Sequence, residues 1–153
     1  MLVHLIRHAN AESRKSWTEP DSARPLSPKG ISQAEVIARF DVGDATIHTS
    51  PAVRCHSTIE PMATRLGVKV HIDSRLAEGA DPQAVVTWIC EGEHETDLVL
   101  CAHGDVLPQV LRLMALRGMT LDGPGTVGKG SIWTCKVEGG HPAHASYRPP
   151  PAV

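Results

Sequence analysis

Asp97-Leu98-Val99-Leu100-Cys101-Ala102-His103-Gly104 is the stretch that decides how this sequence folds. Five consecutive apolar residues leave no polar side for water, which suits a strand covered on both faces within a parallel sheet. The run stops at a histidine and a glycine, and a helical pattern follows from about Asp105 to Arg117. Val106, Leu107, Val110, Leu111, Leu113 and Met114 face inward there, and Gly118 ends it. On the N-terminal side, Asp81-Pro82 opens another helical pattern through Val85, Val86, Trp88 and Ile89.

Outward from this core the alternation repeats. Leu2–Ile6, Ala45–Thr49, Val68–Ile72 and Ser131–Val137 read as further strands. Ser27-Pro28 opens a helix through Ile31, Ala34, Val36, Ile37 and Phe40. Ser50-Pro51 opens a second, with Ser50 as its cap, Ile59, Met62, Ala63 and Leu66 inward, and Gly67 as its stop. The expected fold is α/β, with a mainly parallel central sheet flanked by helices, and ligands of such sheets sit beyond the carboxyl ends of the strands. Residues 1–153 are expected to form one domain. Ala9–Leu26 reads as a long polar loop, and Gly139–Val153, with its Pro149-Pro150-Pro151, as an extended tail.

Composition narrows the function. The 153 residues are 41% hydrophobic and 21% charged, with only 3% aromatic, so aliphatic side chains must build the core. A net charge of −2 without a basic stretch argues against a nucleic-acid partner. No apolar run reaches membrane-spanning length, and Met1–Ile6 is too short for a secretion signal. Cys55, Cys90, Cys101 and Cys135 are scattered, with neither a disulfide framework nor paired metal ligands, which points to reduced thiols in the cytoplasm.

The strand ends carry the chemistry. The first strand runs into Arg7-His8-Ala9, the second into Ser50-Pro51-Ala52-Val53-Arg54, and the fourth into His103-Gly104-Asp105. Two arginines and two histidines at one sheet edge repel unless an anion joins them, and the planar guanidinium fork suits phosphate. Arg54, in the first turn of a helix, opposes the helix dipole until a bound anion reverses the sign. A neutral imidazole such as His8 can attack phosphorus when its other ring nitrogen is held as N–H. A leaving alcohol needs a proton. Glu78, in Leu76-Ala77-Glu78-Gly79, is the best-placed acid, Asp105 the second, with helix capping as its structural alternative, and Glu12 the third.

These segments together resemble the histidine phosphatase superfamily, the phosphoglycerate-mutase-like group. The likeness rests on Leu5-Ile6-Arg7-His8-Ala9, Ser50–Cys55, Leu76–Gly79, Ala102-His103-Gly104 and Arg24–Gly30, in order over about residues 1–118. The chain is similar to the short SixA-type phosphohistidine phosphatases. It is closer still to the phosphatase domain at the C-terminus of two-domain bacterial Nudix hydrolases, through Gly128–Trp133 and Tyr147–Pro151. No Nudix-like glutamate pattern is present. The resemblance implies that His8 is the transient phosphohistidine, that Arg7, Arg54 and His103 complete a phosphate pocket, and that Glu78 donates the proton. It also implies that Asn10 and Arg14 contact substrate. Ala9 stands where the superfamily usually has glycine, and marks the short branch.

The expected activity is therefore hydrolysis of a phosphomonoester or phosphohistidine, on a small molecule or a phosphoprotein, without cofactor or metal. A catalytically silent phosphate- or protein-binding module and a phosphoryl-transfer mutase are the alternatives.

Overall fold

Leu2–Arg7 (β1) and Asp97–Ala102 (β4) lie parallel at the centre of a seven-stranded sheet, in a computed structural model that describes residues 1–153. The remaining strands are Ala45–Thr49 (β2), Val70–Ile72 (β3), Thr120–Asp122 (β5), Ile132–Glu138 (β6) and His141–Arg148 (β7). Their order is β3-β2-β4-β1-β6-β7-β5, and β6 alone runs against the others. The fold is α/β with a mainly parallel sheet.

The continuous apolar run of β4 is explained by burial on both sides. Leu98, Leu100 and Ala102 join Val3 and Leu5 on one face, under Pro82–Glu91 (α3) and Leu107–Leu116 (α4). Val99 and Cys101 join Ile6 and Ile47 on the other, under Pro28–Ile37 (α1) and Val53–Leu66 (α2). The period-two alternation of a strand thus feeds two cores at once. Gly67 ends α2 in the left-handed conformation at φ 67°, which a glycine adopts without strain.

Besides shifts of a few residues at strand and helix ends and the unexpected strand β5, three features depart from the sequence reading. α2 begins at Val53 with Ala52 before it, not at Pro51; the Ser50 hydroxyl contacts His103 and accepts the Ala52 N–H instead of capping the helix. Asp105 does not cap α4. Its carboxylate accepts the backbone N–H of Gly79 at 2.7 Å, and Val106 precedes the helix. Within the expected tail, Gly139 and Gly140 turn the chain and His141–Arg148 forms β7, paired along β6. The prolines after it pack on Gly128, where an added Cβ would sit 3.0 Å from Pro150.

Loop 9–26 is tied at its base. Asn10 accepts at its carbonyl from the backbone N–H of Ser27 (3.1 Å) and receives the Ser27 hydroxyl on its own side-chain oxygen (2.6 Å). Ser27 in turn caps α1 by accepting from Gly30 N–H. A Cβ on Gly30 would fall 1.8 Å from the Asn10 carbonyl oxygen, so only glycine permits this approach.

Candidate active site

β1 ends by delivering Arg7 and His8, β4 by delivering His103, and the first turn of α2 delivers Arg54 to the same edge. The sheet register makes this convergence compulsory, since Arg7 pairs with Ala102 and Thr49 with Cys101. Glu78 comes from the segment between β3 and α3. All five line one open cavity of about 590 Å³.

His8 is only 6% exposed. Its Nδ1 lies 2.8 Å from the carbonyl oxygen of Ala9. A carbonyl only accepts, so Nδ1 carries the hydrogen and Nε2 keeps its lone pair. Burial, helped by the positive fields of His103, Arg54 and Arg7, outweighs the Ala9 hydrogen bond and pushes the His8 pKa down to about 3. The ring is therefore neutral across the physiological range. Ala9 fits where glycine is usual because its methyl is buried against Leu26 and Ala34. Its N–H donates to Thr58 Oγ1 at 2.9 Å, which ties the end of β1 to α2.

The His103 ring lies 5.5 Å from that of His8, centroid to centroid. Its Nε2 is 2.8 Å from the Ser50 hydroxyl and 3.5 Å from Cys55 Sγ, leaving Nδ1 on the side of Arg54. Arg7 is braced from behind, with Nη1 donating to the Val127 carbonyl at 2.8 Å. The flat guanidinium of Arg7 passes directly over Gly104, where a Cβ would stand 2.6 Å from its central carbon.

Arg54 is 1% exposed. Nη1 donates to the Asp21 carbonyl (2.9 Å), and Nη2 donates to the Asp21 carboxylate (3.1 Å) and to Glu78 (3.0 Å). The other oxygen of Glu78 accepts from Arg14 at 3.2 Å. Two carboxylates thus meet the cation in the first turn of α2. Asp21 also pairs with Arg24 (3.0 Å) and Arg14 (3.4 Å). The Arg24 hydrogen bond and the neighbouring arginine charges hold its carboxyl below the usual range despite some desolvation.

The structure gathers Arg7, His8, Arg54, Glu78 and His103, and adds Arg14, Glu12 and Asp105 to the cavity wall. Asn10 is not in that wall, and its side chain serves the base of the loop instead. Sequence reasoning missed Asp21, the positioning contact of Ser50, and Lys129 at the cavity mouth. Asp21 lies in a loop without periodicity, and the one available signal was its place three residues before Arg24. No group of three or more His, Cys, Asp or Glu side chains is arranged to hold a metal ion.

Comparison with known proteins agrees with this fold. The chain is 32% identical, over 97% of its length, to an 8-oxo-(d)GTP phosphatase of Mycolicibacterium smegmatis, and spans 48% of that protein. Among solved structures, the fold superposes on a protein histidine phosphatase SixA complexed with tungstate. The TM-score is 0.70 at 19% identity, covering 97% of this chain and 94% of that one. It also superposes on the alpha-ribazole phosphatase of Shigella flexneri, with a TM-score of 0.73 at 16% identity and coverage of 99% and 96%. The model of the Histidine phosphatase superfamily (branch 1) matches residues 3–80, which hold His8, Arg54 and Glu78, and with the curated relative it shows that this chain belongs to that superfamily.

Proposed function

We propose that the chain is a phosphatase that carries the phosphoryl group on His8 Nε2. The observation that carries this reading is the His8 ring: neutral, with its proton fixed on Nδ1 by Ala9 and its free nitrogen facing a cavity lined by Arg7, Arg54 and His103.

Nε2 attacks phosphorus, the N–P bond forms, and the leaving group departs with the electrons of its bond. Charge on the equatorial oxygens is met by Arg7, Arg54 and His103, which is stabilisation already in place before the reaction begins. Glu78, on the cavity wall, supplies a proton to an alkoxide leaving group. Water then attacks phosphorus and gives up a proton to the Glu78 carboxylate, the N–P bond breaks with its electrons returning to Nε2, and phosphate leaves with His8 neutral again. The cationic side chains supply the electrostatics, so a metal-independent reaction is expected.

The substrate is a phosphomonoester or a phosphohistidine, on a small molecule or a protein. The wide polar cavity accepts either. A SixA structure of the same fold is complexed with tungstate, an oxyanion of phosphate-like shape, which supports phosphate recognition by this fold. The nucleotide-directed name of the mycobacterial relative keeps nucleotide phosphates among the candidates. Four free, buried thiols support a reducing, cytoplasmic setting.

Incubation with p-nitrophenyl phosphate, with and without chelator, tests the reading. Turnover insensitive to chelator, with label trapped on His8 after rapid acid-free quenching, is expected. Absence of turnover on aryl, alkyl and histidine phosphates alike would leave a phosphate-binding module as the better description.

A further inference from the structure

The segment Val127–Ser131 wraps the catalytic dipeptide. The Val127 carbonyl accepts from Arg7 Nη1 at 2.8 Å. Gly130 N–H points at the carbonyls of both Arg7 (3.0 Å) and His8 (3.1 Å), and Arg7 N–H donates to the Ser131 carbonyl at 3.2 Å. Gly130 sits at φ 86°, and this reversal needs glycine. Lys129, between these anchors, is thereby fixed at the wall of the cavity.

The cavity holds more positive charge than one phosphoryl group uses. Arg7, Arg14, Lys15, Arg24, Arg54 and Lys129 line it, against Glu12, Glu78 and Asp105. Most of these cations are committed: Arg54 and Arg14 to Asp21 and Glu78, Arg24 to Asp21 and the Glu12 carbonyl, Arg7 to Val127. Lys129 and Lys15 make no ion pair and no side-chain hydrogen bond. Glu12, on the same wall, does not pair with either. Burial, then the fields of Arg7, Arg24 and Arg14, pull the Lys129 ammonium below its usual range, as expected of a cation held among cations without a counter-charge.

We propose that Lys129 forms a second anion subsite beside the phosphoryl pocket, and that the substrate carries a second anionic group next to the phosphoryl that is transferred. The subsite rests on the phosphatase reading only for turnover; binding tests it independently. The shared chemistry is a second negative group, which comes either from a phosphoric anhydride, as in a nucleoside diphosphate, or from a carboxylate, as in phosphoserine.

Calorimetric titration of the whole chain with orthophosphate and with pyrophosphate reads the subsite without catalysis. The wild type should prefer pyrophosphate by about tenfold or more, as one charge-assisted contact provides. Lys129→Ala should reduce that ratio to about threefold or less, and Lys129→Arg should keep it. No preference in the wild type, or an equal loss on both anions in Lys129→Ala, would overturn the subsite. Aryl phosphate turnover without pyrophosphate preference removes the subsite and keeps the phosphatase, while preference without turnover does the reverse. With a nucleoside diphosphate and phosphoserine as substrates, a loss of about tenfold in kcat/KM on one of them in Lys129→Ala identifies the source. A loss on neither counts against the proposal.

Discussion

The Ser50 hydroxyl lies 2.8 Å from Nε2 of His103, and the same oxygen accepts the backbone N–H of Ala52 at 3.2 Å. Ser50 is 1% exposed and His103 is 2% exposed, so neither group has water as a substitute partner. The contact fixes the imidazole with Nδ1 turned toward Arg54, whose Nη2 lies 3.4 Å away. Ser50 is a positioning residue, acting through His103.

Ser50→Ala should lower kcat/KM by about 10–100-fold, since a buried ring nitrogen and a buried N–H lose their shared partner at a cost of about 1–3 kcal/mol. Ser50→Cys keeps the size but offers a poor hydrogen-bonding group, and should behave like Ser50→Ala. The measurement is kcat/KM beside thermal melting for both variants. A cysteine variant with wild-type activity would show that bulk, not the hydroxyl, matters.

Gly104 lies under the guanidinium of Arg7. A Cβ there would stand 2.6 Å from Cζ and 2.7 Å from Nη2. No φ restriction is involved, so Gly104→Ala tests the approach alone. The methyl must displace the Arg7 guanidinium from its place on the cavity wall, and aryl phosphate kcat/KM should fall by about 100-fold or more, as for the loss of one preorganised donor. The melting temperature should change little, because the guanidinium can move toward the open cavity. Near-native activity would mean that Arg7 does not clamp the phosphoryl group.

His8 predicts a pH dependence of stability. Its folded pKa of about 3 lies below the ordinary value of 6.5, through burial first and nearby positive charge after it. The unfolded chain therefore binds the proton more readily than the folded one. The stabilisation is fully present above about pH 6.5 and is lost as pH falls toward 3. His8→Asn removes this titration. Melts of wild type and variant should run in parallel above pH 7 and diverge below pH 6.5, with the wild type falling faster. Parallel curves down to pH 4 would contradict a neutral, buried His8.

How much of this was legible beforehand depends on the kind of signal. β4 and its neighbours could be read because burial on both faces leaves an unbroken apolar run, and Arg7, His8, Arg54 and His103 followed because the topology fixes where strand ends meet. β7 was hidden: Pro142, His144 and Ser146 break any alternation, and the strand exists because β6 offers it an edge. Thr120–Asp122 is three exposed residues paired only with β7, too short for a pattern. Asp21 acts through contacts across the fold to Arg54, and Lys129 reaches the cavity because its neighbours Gly130 and Ser131 bond the Arg7–His8 backbone; neither a period nor a motif marks such contacts.

Glu78 is the acid whose role is most exposed to test. Both of its oxygens are engaged, one by Arg54 at 3.0 Å and the other by Arg14 at 3.2 Å, so delivering a proton requires one contact to yield to substrate. Asp105, the rival, spends an oxygen on Gly79 N–H and so helps to seat the segment that carries Glu78. The two roles separate by leaving group. An alkyl phosphate expels a basic alkoxide that needs the proton, whereas a nitrophenyl phosphate expels a stable phenolate that hardly does. Glu78→Gln keeps the shape and removes the acid. Single-turnover phosphorylation of the alkyl substrate should slow by about 100-fold or more, within the usual range for general acid catalysis, and that of the nitrophenyl substrate by about tenfold or less. Steady-state rates would not serve, because slow hydrolysis of the phosphohistidine would mask the first step. Equal losses on the two substrates would remove Glu78 as the acid, and Asp105→Asn, measured in the same way, would then be the variant expected to discriminate between them.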